Sequence, residues 1–247
     1  SLAPDITRLV KAGKVAEDWD QNQYKGFVSN SLVSFVVRKG NPKSIRTWDD
    51  LLKPGVEVLT PNPFTSGAAK WNLLGAYGAA GGVTDPQKGL AYLEELLGKH
   101  VKVQDKSGRE ALQNFVSGNG DVLLSYEYEA ITAQKKGEKG IELVQPQDTI
   151  LIQNPIAVTT TTKSPEQAKA FVDYAWSVPA QEVFASWGYR PVNQEVFDAN
   201  KDKFPVPTGL FTIDDLGGWS TVNDELFDPE KGAVAKIEEA NGVSTEK

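Results

Sequence analysis

Thr60-Pro61-Asn62-Pro63-Phe64-Thr65-Ser66-Gly67-Ala68-Ala69-Lys70-Trp71 is the stretch on which the fold turns. Before it, Val56 to Thr60 (VEVLT) is β-branched and apolar enough for a buried strand. Two prolines then hold the chain extended, and Thr65-Ser66-Gly67 opens a helix. The first N–H groups of a helix lack intrahelical acceptors, and with the helix dipole they attract anions. Ser66 supplies a hydroxyl, while Gly67 and Ala68 leave their amides open to close approach. The same residues also fit an ordinary helix cap.

The strand-loop-helix pattern recurs. Val101 to Val103 reads as a short strand, and Asp105-Lys-Ser-Gly-Arg-Glu110 opens another helix, with Ser107 and Glu110 spaced as a capping box. Gly108 lies in its first turn. Arg109 either braces a cleft or is a surface residue. Further strands are expected at Ser31 to Val37, Asp121 to Ser125, Ile141 to Val144 and Ile156 to Thr161. After the fourth of the six comes Tyr126, whose hydroxyl is either an anion donor or part of a packed ring.

Helical patterns fall between these strands. Asp85-Pro86 precedes Leu90, Leu93 and Leu97. Ser164-Pro165 precedes an apolar stripe of Ala168, Phe171, Val172 and Ala175, which Pro179 interrupts, and Gly188 ends the following helix. From Pro229 onward a polar helix with a frayed tail is expected. Alternating strands and helices give an α/β fold with mainly parallel sheets, and ligands bind at the carboxyl ends of such strands. Arg38 to Pro42 and Gln145 to Pro155 read as crossings between two lobes. The expected division is 1–39 with 148–247 for the first lobe and 40–147 for the second.

Composition narrows the function. The 247 residues are 40% hydrophobic and 24% charged, with net charge −7 and pI near 4.9. No basic stripe suits nucleic acid. Cysteine is absent, which removes disulfides and thiolate chemistry; methionine is absent too. The one histidine, His100, is expected at the surface, and no nucleophile elbow, phosphate loop or dinucleotide fingerprint occurs. Neither a metal site nor a cofactor is expected. The adjacent pairs Asp49-Asp50 and Glu94-Glu95 do not face each other on a helix and read as solvated.

Several runs together resemble the bacterial periplasmic sulfate/thiosulfate-binding proteins. They are Phe35-Val-Val-Arg-Lys-Gly-Asn-Pro42, Thr47-Trp-Asp-Asp-Leu-Leu-Lys-Pro-Gly55, Thr60-Pro-Asn-Pro63, Thr65-Ser-Gly67, Gly120-Asp-Val-Leu-Leu124, Gly188-Tyr-Arg-Pro191, and Leu210-Phe-Thr-Ile213 with Gly218-Trp219. The resemblance implies a two-lobed type II solute-binding fold, each lobe a mainly parallel sheet flanked by helices, with the anion enclosed between the lobes. It also implies the binding component of an ABC importer that works with membrane permease subunits outside the cytoplasm, without catalysis.

On that resemblance the anion donors are Ser66, Gly67, Ala68, Gly108 and Tyr126, where the family has Gly for Ala68 and Trp for Tyr126. Ser107, Arg109 and Lys70 stand behind them, Lys70 where the family has Arg. The family's opening strand, helix and donor loop have no counterpart before Ser1, so the first lobe is expected to be incomplete, the missing piece either removed or supplied by another chain. No carboxylate falls among the matched donors, which favours fully ionised sulfate over phosphate, a partly protonated anion that suits a site with an acceptor. Thiosulfate, molybdate, an enzyme on the same fold and a sensor domain remain as alternatives.

Overall fold

A computed structural model describes residues 2–245. In chain order the helices are α1 Ala3–Lys11, α2 Gly67–Tyr77, α3 Pro86–Glu95, α4 Gly108–Val116, α5 Glu127–Lys135, α6 Pro165–Ala175, α7 Val178–Ser186, α8 Gln194–Ala199, α9 Gly218–Glu225 and α10 Ala233–Ala240. The strands are β1 Phe27–Arg38, β2 Val58–Leu59, β3 Val101–Val103, β4 Val122–Tyr126, β5 Ile141–Val144, β6 Asp148–Pro155, β7 Arg190–Pro191 and β8 Gly209–Phe211.

The chain forms two compact units. One holds the residues up to Ser31 with Ile152–Val206; the other holds Leu32–Leu151 with the residues from Pro207 on. The chain passes between them along β1, along β6 and at Val206. Compactness groups the C-terminal residues with the middle of the chain, whereas the sequence pattern groups them with the first lobe. The reason is packing: α10 lies against α3, and Gln104 Nε2 donates to Glu238 Oε2 at 2.8 Å.

In the larger unit, β2 runs parallel to β3 and β4. β1 is antiparallel to β4, from Val33 opposite Tyr126 to Val37 opposite Val122, and antiparallel to β5. β6 pairs with β8 in parallel. The sheet is therefore mixed, with parallel strands where helices make the crossovers. Leu59, Ala111, Phe115, Leu123 and Ala130 pack into one core between β2, β4, α4 and α5. Gly120 turns the chain into β4 at φ +69°, close enough to Leu59 that a side chain there would strike it. Arg38 fixes the preceding loop: its guanidinium donates to the carbonyls of Phe115, Asn119 and Gly120 and lies 3.9 Å from the centre of the Phe115 ring.

In the smaller unit, β7 pairs antiparallel with the first half of β1. Buried Gln181 ties α7 to its surroundings, donating to the carbonyls of Val28 and Ala175 and accepting from the Val192 amide. Ala185, Val196 and Phe204 form a small core, and Arg190 donates to the carbonyls of Phe204 and Pro205 beside it.

Four local expectations are corrected. Ile156–Thr161 is not a strand; β6 lies just before it, because Asp148-Thr-Ile150 finds a parallel partner whereas Val15 and Thr159 make only an isolated bridge. Phe171 does not join a buried stripe: α6 buries Ala175 and leaves Phe171 67% exposed. His100 is buried, its Nδ1 3.1 Å from the Val56 carbonyl. The C-terminal helix is amphipathic rather than polar, burying Val234, Ala235, Ile237 and Glu238. Ser1, Glu246 and Lys247 lie outside the described residues, so part of the readings made of the N-terminal segment and the C-terminal tail falls there.

Candidate functional site

Two loops of the larger unit are stitched together. The Asn62 amide donates to the Asp105 carbonyl at 2.8 Å. Thr65 Oγ1 donates to the Lys106 carbonyl at 3.0 Å. Both bonds run from the loop before α2 to the loop before α4, so the two helices start side by side. The contact is close: a methyl group built on Gly108 would stand 3.4 Å from the Ala68 methyl. Asn62 also braces its own loop, its side chain accepting from the Phe64 amide and its carbonyl from the amides of Thr65 and Ser66.

Helix α2 is then pinned to the sheet. Asn72 Nδ2 donates to Thr60 Oγ1 and to the Leu124 carbonyl at 2.8 Å. That bond sets the helix against the carboxyl end of β4, where Tyr126 follows two residues later. Tyr126 is buried, its ring centre 5.6 Å from that of Tyr128. Burial, then Tyr128 and Glu129, push its phenol well above the usual range, so it stays protonated and able to donate.

Ser66 sits at the cap position of α2 in an extended conformation, yet its hydroxyl makes no capping bond. A cap serine normally satisfies a first-turn amide; here the hydroxyl is left for another acceptor. Gly67 is exposed and Ala68 partly so. At α4 the cap is used: Ser107 Oγ accepts from the Glu110 amide at 3.2 Å. Ser107 is thus a helix-holding residue, and Gly108 follows it, partly exposed. Arg109 is exposed. Lys70 turns toward the C-terminal part of the unit, where its Nζ donates to Asn223 Oδ1 at 2.7 Å and stands 4.9 Å from the Phe227 ring centre.

The structure thus brings Ala68, Gly108 and the end of β4 together, with Ser66 and Gly67 in the same helix start. It adds one residue that the sequence reading missed. Glu129 projects from the first turn of α5, and its Oε1 lies 3.4 Å from where a methyl on Gly108 would be. Ser125 Oγ donates to Glu129 Oε2. Burial raises the Glu129 carboxyl, with opposing pulls from Ser125, the Tyr126 backbone and Arg109. The matched donor positions themselves hold no carboxylate; Glu129 stands beside one of them, Gly108. Its signal was a glutamate at the third position of the helix, where a carboxylate reaches back to the residues before the helix start. Among the described residues, no group of three or more His, Asp or Glu is placed to hold a metal ion, and no helix is long and apolar enough to cross a membrane.

Amides from two adjacent helix starts, at the carboxyl ends of strands, describe a protein that captures a solute. Residues 2–190 match the bacterial extracellular solute-binding protein family, and the chain belongs to it. It is similar to a sulfate-binding protein of Synechococcus elongatus, 40% identical across 97% of this chain and 70% of that protein. It is similar too to a thiosulfate-binding protein of Escherichia coli, 38% identical across 90% of this chain and 69% of that protein. Among solved structures, the sulfate-binding protein SubI of Mycobacterium tuberculosis superposes with a TM-score of 0.89 at 50% identity, covering 92% of this chain and 79% of that one. The relatives are solute-binding proteins rather than enzymes, and they give no support to a second chain supplying an opening segment.

Proposed function

We propose that this protein binds sulfate as the extracytoplasmic solute-binding component of an ABC importer and hands it to membrane permease subunits. The observation that carries the reading is the side-by-side start of α2 and α4, with Gly108 against Ala68. The names of the relatives, sulfate-binding and thiosulfate-binding, point to the same anion class.

In this reading the amides of Gly67, Ala68 and Gly108, the Ser66 hydroxyl and the Tyr126 phenol donate to the anion oxygens. Ser107 holds the α4 turn, Arg109 adds a positive charge nearby, and Lys70 anchors α2 from its far side. Sulfate is fully ionised near neutrality and accepts hydrogen bonds only. Oriented N–H dipoles at helix starts stabilise such a dianion without a formal counter-charge, because several donors share its charge in a weakly screening environment.

Isothermal titration with sulfate, thiosulfate, molybdate and phosphate tests the reading. Sulfate is expected to bind more tightly than phosphate at neutral pH. Thiosulfate, for which the Escherichia coli relative is named, is expected to compete for the same site. Heat from phosphate alone would overturn the assignment.

A further inference from the structure

Asn62 makes one bond that its own loop does not require. Its Nδ2 donates to the Ser244 carbonyl at 3.0 Å, which ties the loop before α2 to the chain just past α10. From Ser244 the bonds close a circuit. The neighbouring Val243 amide donates to the Glu238 carbonyl at 2.9 Å. Glu238 Oε2 accepts from Gln104 Nε2 at 2.8 Å. Gln104 precedes Asp105, whose carbonyl accepts from the Asn62 amide at 2.8 Å. Three segments far apart in sequence thus hold one another, and two of them are the loops that deliver Ser66 and Gly108.

Stability alone does not call for this arrangement. Glu238 is fully buried, and Glu238 Oε1 and Gln104 Oε1 have no partner. Buried oxygens without donors cost stability, and an apolar pair of similar size packs as well or better. Packing already has its own residues on α10, since Val234, Ala235 and Ile237 are buried and the helix lies against α3. What the polar pair adds is direction: a hydrogen bond fixes a distance and an angle, whereas apolar contact is non-directional. The C-terminal part of the chain grips α2 elsewhere too, through Trp219 edge-on to Trp71, ring centres 4.8 Å apart, and through Asn223 on Lys70.

We propose that Glu238 and Gln104 are positioning residues for the anion site: through the circuit that includes Asn62, α10 and the chain after it hold the starts of α2 and α4 in the register that lets their amides meet one guest. The inference rests on the sulfate reading above. Neither side chain touches the anion. They act by preorganisation, because loops already held in the bound arrangement lose less freedom when the anion arrives.

The test separates direction from stability. Glu238→Leu removes the acceptor, whereas Glu238→Gln keeps an oxygen for Gln104. The double variant Gln104→Leu with Glu238→Leu opens the circuit but refills it with apolar side chains. Val234→Ala weakens α10 without touching the circuit. Each is titrated with sulfate well below its melting temperature. Glu238→Leu and the double variant are expected to bind roughly three- to tenfold more weakly than the unaltered protein. Glu238→Gln and Val234→Ala are expected to stay within about twofold of it, although Val234→Ala melts lower. The double variant is expected to melt no lower than Glu238→Leu and yet bind no better. Hydrogen exchange at the Asn62 amide, measured without sulfate, is expected to quicken about tenfold in the double variant. Unchanged affinity or unchanged exchange in the double variant overturns the inference and leaves the function standing. An equal loss of affinity in Val234→Ala does the same, since the effect then belongs to stability. A folded, unaltered protein that binds no sulfate overturns the function and the inference together.

Discussion

Ser66 and Ser107 occupy equivalent places at the starts of α2 and α4, yet only Ser107 caps its helix. The difference yields opposite expectations for the two alanine variants. Ser66→Ala removes a hydroxyl the helix does not use, so thermal stability should barely change. Loss of a hydrogen bond to a charged partner, about 1.5–3 kcal/mol, should weaken sulfate binding roughly ten- to a hundredfold. Ser107→Ala should instead lower stability by about 1 kcal/mol. Melting curves and titrations of both proteins check the pair. Gly108 gives a steric version of the same test. A methyl there meets Ala68 and Glu129 at ordinary contact distance, so Gly108→Ala should still bind. Gly108→Leu places further carbons where those atoms stand and should cost more than about tenfold in affinity.

At the scale of elements, carboxylates act in opposite directions with pH. Asp50 opens the 3₁₀ turn Asp49–Leu52 by accepting from the Arg46 and Thr47 amides, both at 2.8 Å, and by pairing with Lys53. Burial works against its ionisation, but these bonds outweigh it and hold it below the usual carboxylate range. Its stabilisation is therefore present above the unfolded-state value and is lost as pH falls through the folded one. Asp50→Ala should lower stability by about 1–2 kcal/mol at neutral pH, and the deficit should shrink in acid.

Glu238 on α10 is the converse. Burial raises its carboxyl, with only the Gln104 bond opposing, and Glu238 Oε1 and Gln104 Oε1 both lack a partner. Stability from this group is full below the ordinary carboxyl range and falls as pH rises through the folded-state value. Glu238→Gln adds a donor and removes the charge. It should raise stability at neutral pH by an amount on the order of 1 kcal/mol, seen as a higher melting temperature, and the gain should fade in acid. A series of melts between about pH 4 and about pH 8 reads both effects.

For the whole molecule, a ligand that binds only the folded chain stabilises it by mass action. Sulfate at about a hundred times its dissociation constant should add about 2.7 kcal/mol, seen as a rise in melting temperature. Phosphate at the same concentration should produce a smaller rise. The net charge of −7 does not oppose this, because hydrogen-bond donors packed against the guest outweigh distant, screened charges. The whole-molecule division into units is also where chain order misleads. Residues 207–245 follow the smaller unit in sequence but pack with the larger one, since Val234, Ala235 and Ile237 find their apolar partners there.

The sequence by itself determined the alternation of strands and helices, the two helix starts at Gly67 and Gly108, and the family, because these depend on residues near one another in the chain: β-branched runs, prolines, caps and short motifs. Tertiary structure alone decided what those starts face. Gly108 meets Ala68 because Asn62 and Thr65 bond across to Asp105 and Lys106, some forty residues away, and Glu129 joins them because β4 ends beside α2. The burial of His100 and Glu238 and the exposure of Phe171 have the same origin. A local pattern states that a face is apolar or a residue polar, but the partner it meets is set by the packing of distant segments.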